Sequence, residues 1–135
     1  MCGICGEVRL DGAPANMKAV SSMADALGPR GPDASGSFSQ DRIAFGHRRL
    51  SVLDLSPASQ QPMVDPGLGL ALVFNGCIYN FRDLRRELQG QGYTFFSDGD
   101  TEVILKAYHA WGRAASSVST ACSPSCCGSA TAAGW

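Results

Sequence analysis

Short apolar runs alternate with helically spaced apolar residues through most of the chain. Three runs have the length and glycine punctuation of β-strands, and they cover residues 2–10, 43–45 and 68–74. A fourth extended piece is expected at residues 50–55. Because these pieces are interleaved with amphipathic segments, the pattern predicts an α+β domain whose helices pack on sheets.

Three segments have the apolar spacing of amphipathic helices, and each begins at a capping residue and ends at a glycine. The predicted caps are Asn16, Asn80, and either Asp100 or Thr101. The glycines that end these helices are Gly28, Gly90 and Gly112. The third helix is expected to bury one face, which consists of Val103, Ile104, Ala107, Tyr108 and Trp111.

Composition and charge narrow the function classes. The chain has 135 residues, of which 44% are hydrophobic and 17% charged, and this fits one globular domain. Its formal net charge of -1 offers no basic surface for phosphates or anionic lipids, so neither nucleic acid nor a membrane is expected as a partner. The sequence lacks an apolar run of about 20 residues and an N-terminal signal sequence, which predicts a cytoplasmic location.

Six cysteines raise the question of a metal or disulfide framework. Cys2 and Cys5 begin the chain, Cys77 stands alone, and the other three lie near the C-terminal end. A structural zinc site needs four ligands at matched spacings, and His47 and His109 are isolated in the sequence. No metal site is therefore expected.

The opening sequence "MCGICG" leaves three interpretations of its two cysteines: half of a metal clip, a redox pair or a nucleophile. Removal of Met1 would give Cys2 a free α-amine, which is a base of near-neutral pKa beside the thiol. Such a pair is a nucleophile with its own base, as in enzymes that attack with their N-terminal residue. For a cysteine taken alone, a buried and unreactive thiol is the commoner explanation.

Six motifs follow one another along the chain. They are "MCGICG" (residues 1–6), "RGPDASG" (30–36), "GHRRLSVLDLS" (46–56), "QQPM" (60–63), "FNGCIYN" (74–80) and "DGDTEVIL" (98–105). Together, over residues 1–113, they resemble the glutaminase domain of class II glutamine amidotransferases, in the asparagine synthetase branch. Within that branch, the first and fifth motifs look most like those of N-acetylglutaminylglutamine amidotransferases.

The resemblance implies an N-terminal-nucleophile hydrolase fold, an αββα sandwich that would be incomplete in this chain. It implies that Cys2 attacks the side-chain amide of glutamine and forms a thioester, releasing ammonia and then glutamate. The Asn75 side-chain amide and the Gly76 backbone N–H would form the oxyanion hole. An Asn-Gly pair after a strand suits this role, because it presents a polar amide next to an unobstructed N–H.

The same resemblance implies a site for L-glutamine. Arg49 would hold the α-carboxylate, since a guanidinium matches a carboxylate in bidentate geometry, and Asp100 would hold the α-ammonium. The other implied members of the site are Val52, Asn75, Gly76 and Cys77. Each charged residue also has a plainer interpretation, Arg49 as one of two solvated arginines and Asp100 as a helix cap.

One position departs from the family, which usually has glutamate where this chain has Cys77. The change costs little if only the backbone carbonyl meets the substrate ammonium, and it weakens recognition if the carboxylate does. Among the structural motif residues, Arg30 is expected to pair with Asp33 or to brace the loop over the nucleophile. Gln61 and Pro62 are expected to fix a turn.

The resemblance implies no cofactor for this segment. ATP and magnesium belong to the synthetase domain, which is expected in cis in a full-length protein of this family and absent here.

The C-terminal part of the chain, residues 114–135, is unlike the rest. The sequence "ASSVSTACSPSCCGSATAAGW" has no charge and no helical stripe, which predicts a disordered tail rich in Ser, Ala and Cys. One permitted codon string for it, read two bases later, encodes "VERFHGMFAFVLWERDSGRV", and the family has a phenylalanine-rich strand here. We therefore expect a one-base slip near codon 114 that puts the tail out of frame and cuts the protein short. A genuine flexible tail is the alternative.

Two functional hypotheses follow. The first is a glutamine-hydrolysing enzyme domain of an asparagine synthetase-like amidotransferase. The second is an inactive truncated fragment, or a glutamine-binding pseudo-domain without catalysis. A Cys2→Ala change separates them, since it removes the nucleophile and leaves binding largely intact.

Overall fold

The computed structural model describes residues 2–51 and 56–115, together with the backbone of residues 130–134. Its first sheet, sheet A, contains β1 (Gly3–Val8), β2 (Ala34–Gln40) and β3 (Ile43–Arg49) in the order β1-β3-β2. Both pairings in sheet A are antiparallel. The central strand β3 therefore has hydrogen-bonded neighbours on both sides.

The second sheet, sheet B, contains β4 (Met63–Asp65), β5 (Leu70–Phe74) and β6 (Ala130–Gly134) in the order β4-β5-β6. Both of its pairings are antiparallel as well. Within the described residues, three α-helices accompany the two sheets, α1 (Met17–Ala26), α2 (Phe81–Gly90) and α3 (Asp100–Trp111). The α+β class expected from the sequence is confirmed.

The strand predictions are confirmed for β1 and β5 and partly for β3, which continues past residue 45 as far as Arg49. The extended piece expected at residues 50–55 is wrong at Leu50 and Ser51, which lie outside any strand. Residues 52–55 of that prediction lie outside the described residues. Strand β2 was not predicted, because its sequence "ASGSFSQ" has one large apolar residue and no apolar run.

All three predicted helices are present. The Asn16 side chain caps α1 by accepting a hydrogen bond from the Ala19 N–H at 3.1 Å. Asn80 precedes α2, as expected, although its side chain makes no capping hydrogen bond. The cap of α3 is Gly99, so Asp100 and Thr101 lie inside the first turn of the helix and the predicted cap is wrong by one or two residues.

The buried face of α3 is rotated slightly from the predicted one. Val103 and Ala107 are fully buried as expected, but Tyr108 is 38% exposed and the fully buried Leu105 takes part in the core instead. This shift follows from burial at the start of the helix, where charged side chains point inward together with the apolar ones.

Helix α1 packs on one face of sheet A. Gly46 in β3 makes this close contact, since a Cβ added there would lie 3.1 Å from the Ala24 Cβ and 3.2 Å from the Val20 Cγ1. The apolar stripe of α1 thus packs on a sheet, as its spacing predicts.

The other face of sheet A packs on sheet B. Phe45 from β3 forms a buried cluster with Ala71 and Val73 from β5. The alternate residues of β5 join a second cluster on the opposite face of sheet B, where α2 and α3 contribute Leu84, Leu88, Val103, Leu105 and Ala107. All five residues of β5 are buried, so this strand is covered on both faces.

The prediction of a disordered tail falls mainly on residues 116–129 and 135, which lie outside the described residues. Over Ala130–Gly134 the backbone pairs with β5, and Leu70 is opposite Gly134. Among the helices of the described residues, none combines the length and the apolar composition that crossing a bilayer requires.

Candidate active site

Cys2 directly precedes β1 and is half-buried. The antiparallel pairing of Gly3 with Arg48 brings it beside the end of β3. There its sulfur accepts a hydrogen bond from the Leu50 N–H at 3.3 Å and lies 3.6 Å from the Leu50 carbonyl oxygen. The thiol is therefore fixed next to the residue that follows Arg49.

Arg49 is the last residue of β3 and is only 7% exposed. Its Nη1 donates a hydrogen bond to the Ser56 carbonyl at 3.2 Å. The interpretation of Arg49 as a solvated arginine is thus wrong. Its neighbour Arg48 lies on the opposite face of β3, where it donates to the Ala24 carbonyl at 2.9 Å and forms an ion pair with Asp25.

Asn75 and Gly76 directly follow β5, Asn75 half-buried and Gly76 exposed. Among the hydrogen bonds of the described residues, none involves the Asn75 side-chain amide or the Gly76 N–H. Both donors are therefore available to another molecule. Cys77, the next residue, is half-buried.

Asp100 is buried in the first turn of α3, with 5% of its surface exposed. Its Oδ2 accepts a hydrogen bond from the Ile78 N–H at 3.0 Å. Burial raises the pKa of this carboxyl group above 3.8, and the hydrogen bond from Ile78 partly opposes the shift. Asp100 thus does more than begin a helix, because it connects α3 to the segment that carries Asn75 and Gly76.

Gln61 makes two buried hydrogen bonds that the sequence did not indicate. Its Oε1 accepts from the Phe74 N–H at 2.6 Å, and its Nε2 donates to the Thr101 Oγ1 at 3.3 Å. The expected turn at Gln61 and Pro62 is present and contains a cis peptide bond.

Asp33 does not form the expected ion pair with Arg30. Its Oδ2 accepts from the Ser51 N–H at 2.7 Å, and its own N–H donates to the Arg49 carbonyl at 3.0 Å. Asp33 therefore binds the backbone on both sides of Leu50 instead of the side chain of Arg30.

Glu102 is a buried charged residue that the sequence did not single out. It is fully buried, and its carboxylate accepts hydrogen bonds from Phe96 N–H, from Ser97 N–H at 2.7 Å and from Ser97 Oγ at 2.6 Å. It also lies 3.3 Å from the Lys106 Nζ. These contacts fix the loop that leads into Asp100.

The predicted residues fall into two groups. In the first group, Cys2 and Arg49 lie at one end of sheet A, where the Leu50 N–H donates to the Cys2 sulfur. In the second group, Asn75, Gly76 and Asp100 lie at the end of β5. Val52 lies outside the described residues. In the part of the chain that is described, no three His, Cys, Asp or Glu side chains are grouped so that they could hold a metal ion.

His47 lies in β3 between these two groups. It is 1% exposed, and neither of its ring nitrogens makes a hydrogen bond in the described structure. Burial lowers its pKa from 6.5 to about 4; the charge of Arg49 acts in the same direction and the Phe74 backbone opposes it. Phe45, two residues before His47 in β3, packs on Ala71 and Val73 of β5, and this contact brings the two strands together.

The buried His47 predicts a loss of stability in mild acid. Below pH 6.5 the unfolded chain binds a proton at this imidazole, while the folded chain binds it only near pH 4. The free energy of unfolding should therefore fall by about 3 kcal/mol between these pH values. Urea unfolding at a series of pH values measures this change.

A His47→Leu variant should lose that part of the pH dependence. Asp100 titrates with the opposite sign, because its raised pKa favours the protonated carboxyl group in the folded state, but its contribution is common to both proteins. His109, which is exposed and 2.6 Å from the Tyr93 hydroxyl, provides the control. If His109→Gln flattened the curve and His47→Leu did not, the assignment to His47 would be wrong.

Comparison with known proteins identifies the family. A glutamine amidotransferase domain matches residues 1–120. The glutamine-hydrolyzing asparagine synthetase 3 of Bacillus subtilis is 39% identical over 114 residues, which cover 82% of this chain and 18% of that protein. Asparagine synthetase 1 of the same organism is 46% identical over 79 residues, covering 58% of this chain and 12% of that protein.

The glutamine-hydrolyzing asparagine synthetase B of Escherichia coli is 36% identical over 110 residues, which cover 80% of this chain and 19% of that protein. This chain thus spans less than a fifth of the length of these curated relatives. The resemblance carried by the six motifs is confirmed for the family as a whole. The domain match extends over most of the sequence, and the chain belongs to the class II glutamine amidotransferase domains.

Proposed function

We propose that this chain is a glutamine-hydrolysing domain whose nucleophile is Cys2. The sulfur of Cys2 forms a bond to the side-chain amide carbon of glutamine, and the bond from that carbon to nitrogen breaks. The thiol proton passes to the free α-amine of Cys2 and then to the departing nitrogen, which leaves as ammonia. Water attacks the thioester, the carbon–sulfur bond breaks, and glutamate is released with the thiol restored.

The observation that supports this proposal most directly is the pair of available donors at Asn75 and Gly76. They directly follow the fully buried strand β5, and no hydrogen bond of the described residues occupies them. A negative charge develops on the amide oxygen when sulfur attacks, and preorganised donors stabilise it at little cost of reorganisation. One lost donor of this kind typically lowers the rate by about 10²- to 10³-fold.

Glutamine recognition would use the buried charges on either side. Arg49 offers a guanidinium at the end of sheet A for the α-carboxylate. Asp100 offers its buried carboxylate for the α-ammonium, while its Oδ2 also accepts from the Ile78 N–H. Val52 and Cys77 would line the same site, Cys77 through its backbone carbonyl.

The packing supports an αββα sandwich of the N-terminal-nucleophile hydrolase type. Helix α1 covers one face of sheet A, sheets A and B meet through Phe45, Ala71 and Val73, and α2 and α3 cover the far face of sheet B. We propose this arrangement as the incomplete form of the full sandwich.

The domain that would use the released ammonia is proposed from what is typical of the family. In a full-length protein a synthetase domain in cis would use ATP and magnesium to transfer it to an acceptor. The motifs "MCGICGE" and "FNGCIYN" favour an N-acetylglutaminylglutamine amidotransferase. A cytoplasmic location is part of the same proposal.

The reading-frame slip near codon 114 also remains a proposal. It is supported by the family-like peptide that appears in the shifted frame of residues 115–135. The coding DNA decides it, because codons that do not yield this peptide in either shifted frame exclude the slip.

The experiment that tests the proposed function is mass spectrometry of the chain after exposure to 6-diazo-5-oxo-L-norleucine, a glutamine analogue that alkylates nucleophiles of this kind. We expect an adduct on an N-terminal Cys2, with Met1 removed. A free N-terminal Cys2 without adduct would instead support an inactive fragment or a glutamine-binding pseudo-domain.

The buried carboxyl group of Asp100 predicts proton release on glutamine binding. Its pKa is raised in the free protein, and a bound ammonium stabilises the charged form and lowers that pKa. Glutamine affinity should therefore weaken as the pH falls through the raised pKa. Calorimetric titrations in buffers of different ionisation enthalpy measure the released protons.

An Asp100→Asn variant is the control for this prediction. It should bind glutamine more weakly and without the pH dependence that the raised pKa of Asp100 gives the unsubstituted protein. An affinity of the unsubstituted protein that does not change as the pH falls would contradict a role for Asp100 in holding the ammonium.

A further inference from the structure

Residues 75–78, here called the donor loop, are fixed at both ends by side chains from elsewhere in the fold. At the N-terminal end the Phe74 N–H donates to Gln61 Oε1 at 2.6 Å. At the C-terminal end the Ile78 N–H donates to Asp100 Oδ2 at 3.0 Å. The first bond directly precedes Asn75, and the second involves the proposed ammonium ligand.

Gln61 connects these two ends. Its Nε2 donates to the Oγ1 of Thr101, the residue that follows Asp100, at 3.3 Å. One side chain therefore contacts both the strand that leads into the donor loop and the helix turn that carries Asp100. Gln61 is 7% exposed and Thr101 is 6% exposed, so water does not readily replace these bonds.

The backbone of Gln61 is itself held against sheet A. Gly36 in β2 lies so close to the Gln61 carbonyl that a Cβ at residue 36 would overlap it. The neighbouring Gln60 donates through Nε2 to the Ser35 carbonyl at 3.0 Å. The turn is thus attached to sheet A, while the Gln61 side chain reaches β5 and α3.

We infer that Gln61 is a positioning residue for the reaction, setting the distance between the oxyanion donors of the donor loop and the ammonium ligand Asp100. This inference rests on the proposed function. Gln61 does not touch the reacting atoms in this role, since it acts through Phe74 and Thr101.

Glutamine suits this role because of the polarity of its two partners. A backbone N–H can only donate, so the atom that faces Phe74 must be Oε1. This orientation turns Nε2 toward Thr101 and fixes which end of the amide serves each partner. A methionine of similar length would satisfy neither partner, and an asparagine is one methylene shorter.

The test compares Gln61→Met with the adjacent Gln60→Met in the full chain. The first measured quantity is backbone amide hydrogen exchange. The second is the rate of Cys2 alkylation at a series of 6-diazo-5-oxo-L-norleucine concentrations, which gives the affinity for this reagent and the maximal alkylation rate separately. For Gln61→Met we expect exchange of the hydrogen-bonded Phe74 and Ile78 N–H groups, at the two ends of residues 74–78, to accelerate by about 10- to 100-fold. The maximal alkylation rate should fall by a similar factor, since a displacement of about 1 Å can cost about 100-fold.

Gln60→Met should change both measurements much less than Gln61→Met, because the Gln60 side chain is exposed and its bond to the Ser35 carbonyl reaches neither Phe74 nor Thr101. The close contact between Gly36 and the Gln61 carbonyl still holds the turn against sheet A in this variant. Thr101→Val removes one of the two bonds and should give a smaller change in the same direction. If Gln61→Met does not fold, Thr101→Val alone still tests whether Gln61 positions the donor loop. Equal acceleration of exchange throughout the chain, or slower alkylation with unchanged exchange at residues 74–78, would overturn the inference.

The two proposals fail separately. If the unsubstituted chain forms no adduct, the proposed function fails. The exchange comparison then still decides whether Gln61 holds the donor loop, and unchanged exchange at residues 74–78 in Gln61→Met and Thr101→Val would overturn that placement.

Discussion

Replacing Cys2 with alanine is expected to abolish both the adduct with 6-diazo-5-oxo-L-norleucine and the release of glutamate from glutamine. Cys2 supplies the attacking sulfur in the proposed mechanism, so the rate should fall on the order of 10⁴- to 10⁶-fold, as for other enzymes that lose their nucleophile. Glutamine binding should remain, because the charges of Arg49 and Asp100 are unchanged. Intact-mass analysis and calorimetric titration measure the two effects separately.

Cys5→Ala provides the matched control for this change. The Cys5 thiol lies 3.6 Å from the carbonyl oxygens of Val20 and Gly46, on the α1 side of sheet A. Burial raises its pKa, which keeps it in the unreactive protonated form. The Cys5 variant should therefore still form the adduct. Alkylation that persisted in Cys2→Ala at the same rate would assign the reactivity to another cysteine and remove Cys2 as the nucleophile.

Elements with strong apolar patterns could be predicted from the sequence, and elements that depend on their neighbours could not. Strand β5 is apolar at every position and was predicted together with the Asn-Gly pair that follows it. The last three residues of β3 are His47, Arg48 and Arg49, which have no strand pattern of their own. They are extended because β2 pairs with all three and β1 pairs with His47 and Arg48 on the other side.

The residues of the candidate site could likewise be predicted only in part. Family motifs indicated Arg49 and Asp100, but their local sequence was equally compatible with an exposed arginine and a helix cap. Their burial comes from tertiary packing, at the end of β3 for Arg49 and between the start of α3 and Ile78 for Asp100, which local sequence does not determine. Gln61 and Thr101 are 40 residues apart, and no periodicity or turn rule relates a glutamine side chain to so distant a partner.

The largest expected effect on stability is that of Glu102→Leu. The substitution leaves the buried N–H of Ser97 and the N–H of Phe96 without an acceptor, and it removes one of the two carboxylates near the buried Lys106. Breaking a buried charge network of this kind costs about 3–5 kcal/mol. Since domains of this size are stable by about 5–15 kcal/mol, urea unfolding should show a much lower midpoint or an unfolded chain.

Glu87→Leu is the matched control, because Glu87 is an exposed glutamate on α2. Its effect should stay within about 0.5 kcal/mol. Glu102→Gln should be intermediate, since its amide oxygen can still accept from one N–H while the charge opposite Lys106 is lost. Equal midpoints for the Glu87 and Glu102 leucine variants would contradict the assigned network.

The Glu102 network also bears on the proposed site. Glu102 holds Phe96 and Ser97, and the loop from these residues leads directly into Asp100. Glu102 lies within one helical turn of Asp100, the proposed ammonium ligand. Loss of the Glu102 carboxylate should therefore disturb glutamine binding before the whole chain unfolds. In Glu102→Gln, which retains part of the network, we therefore expect weaker glutamine binding at a urea concentration where the fold is still intact. Unchanged affinity under those conditions would show that Asp100 is positioned by Ile78 and Thr101 without help from the loop.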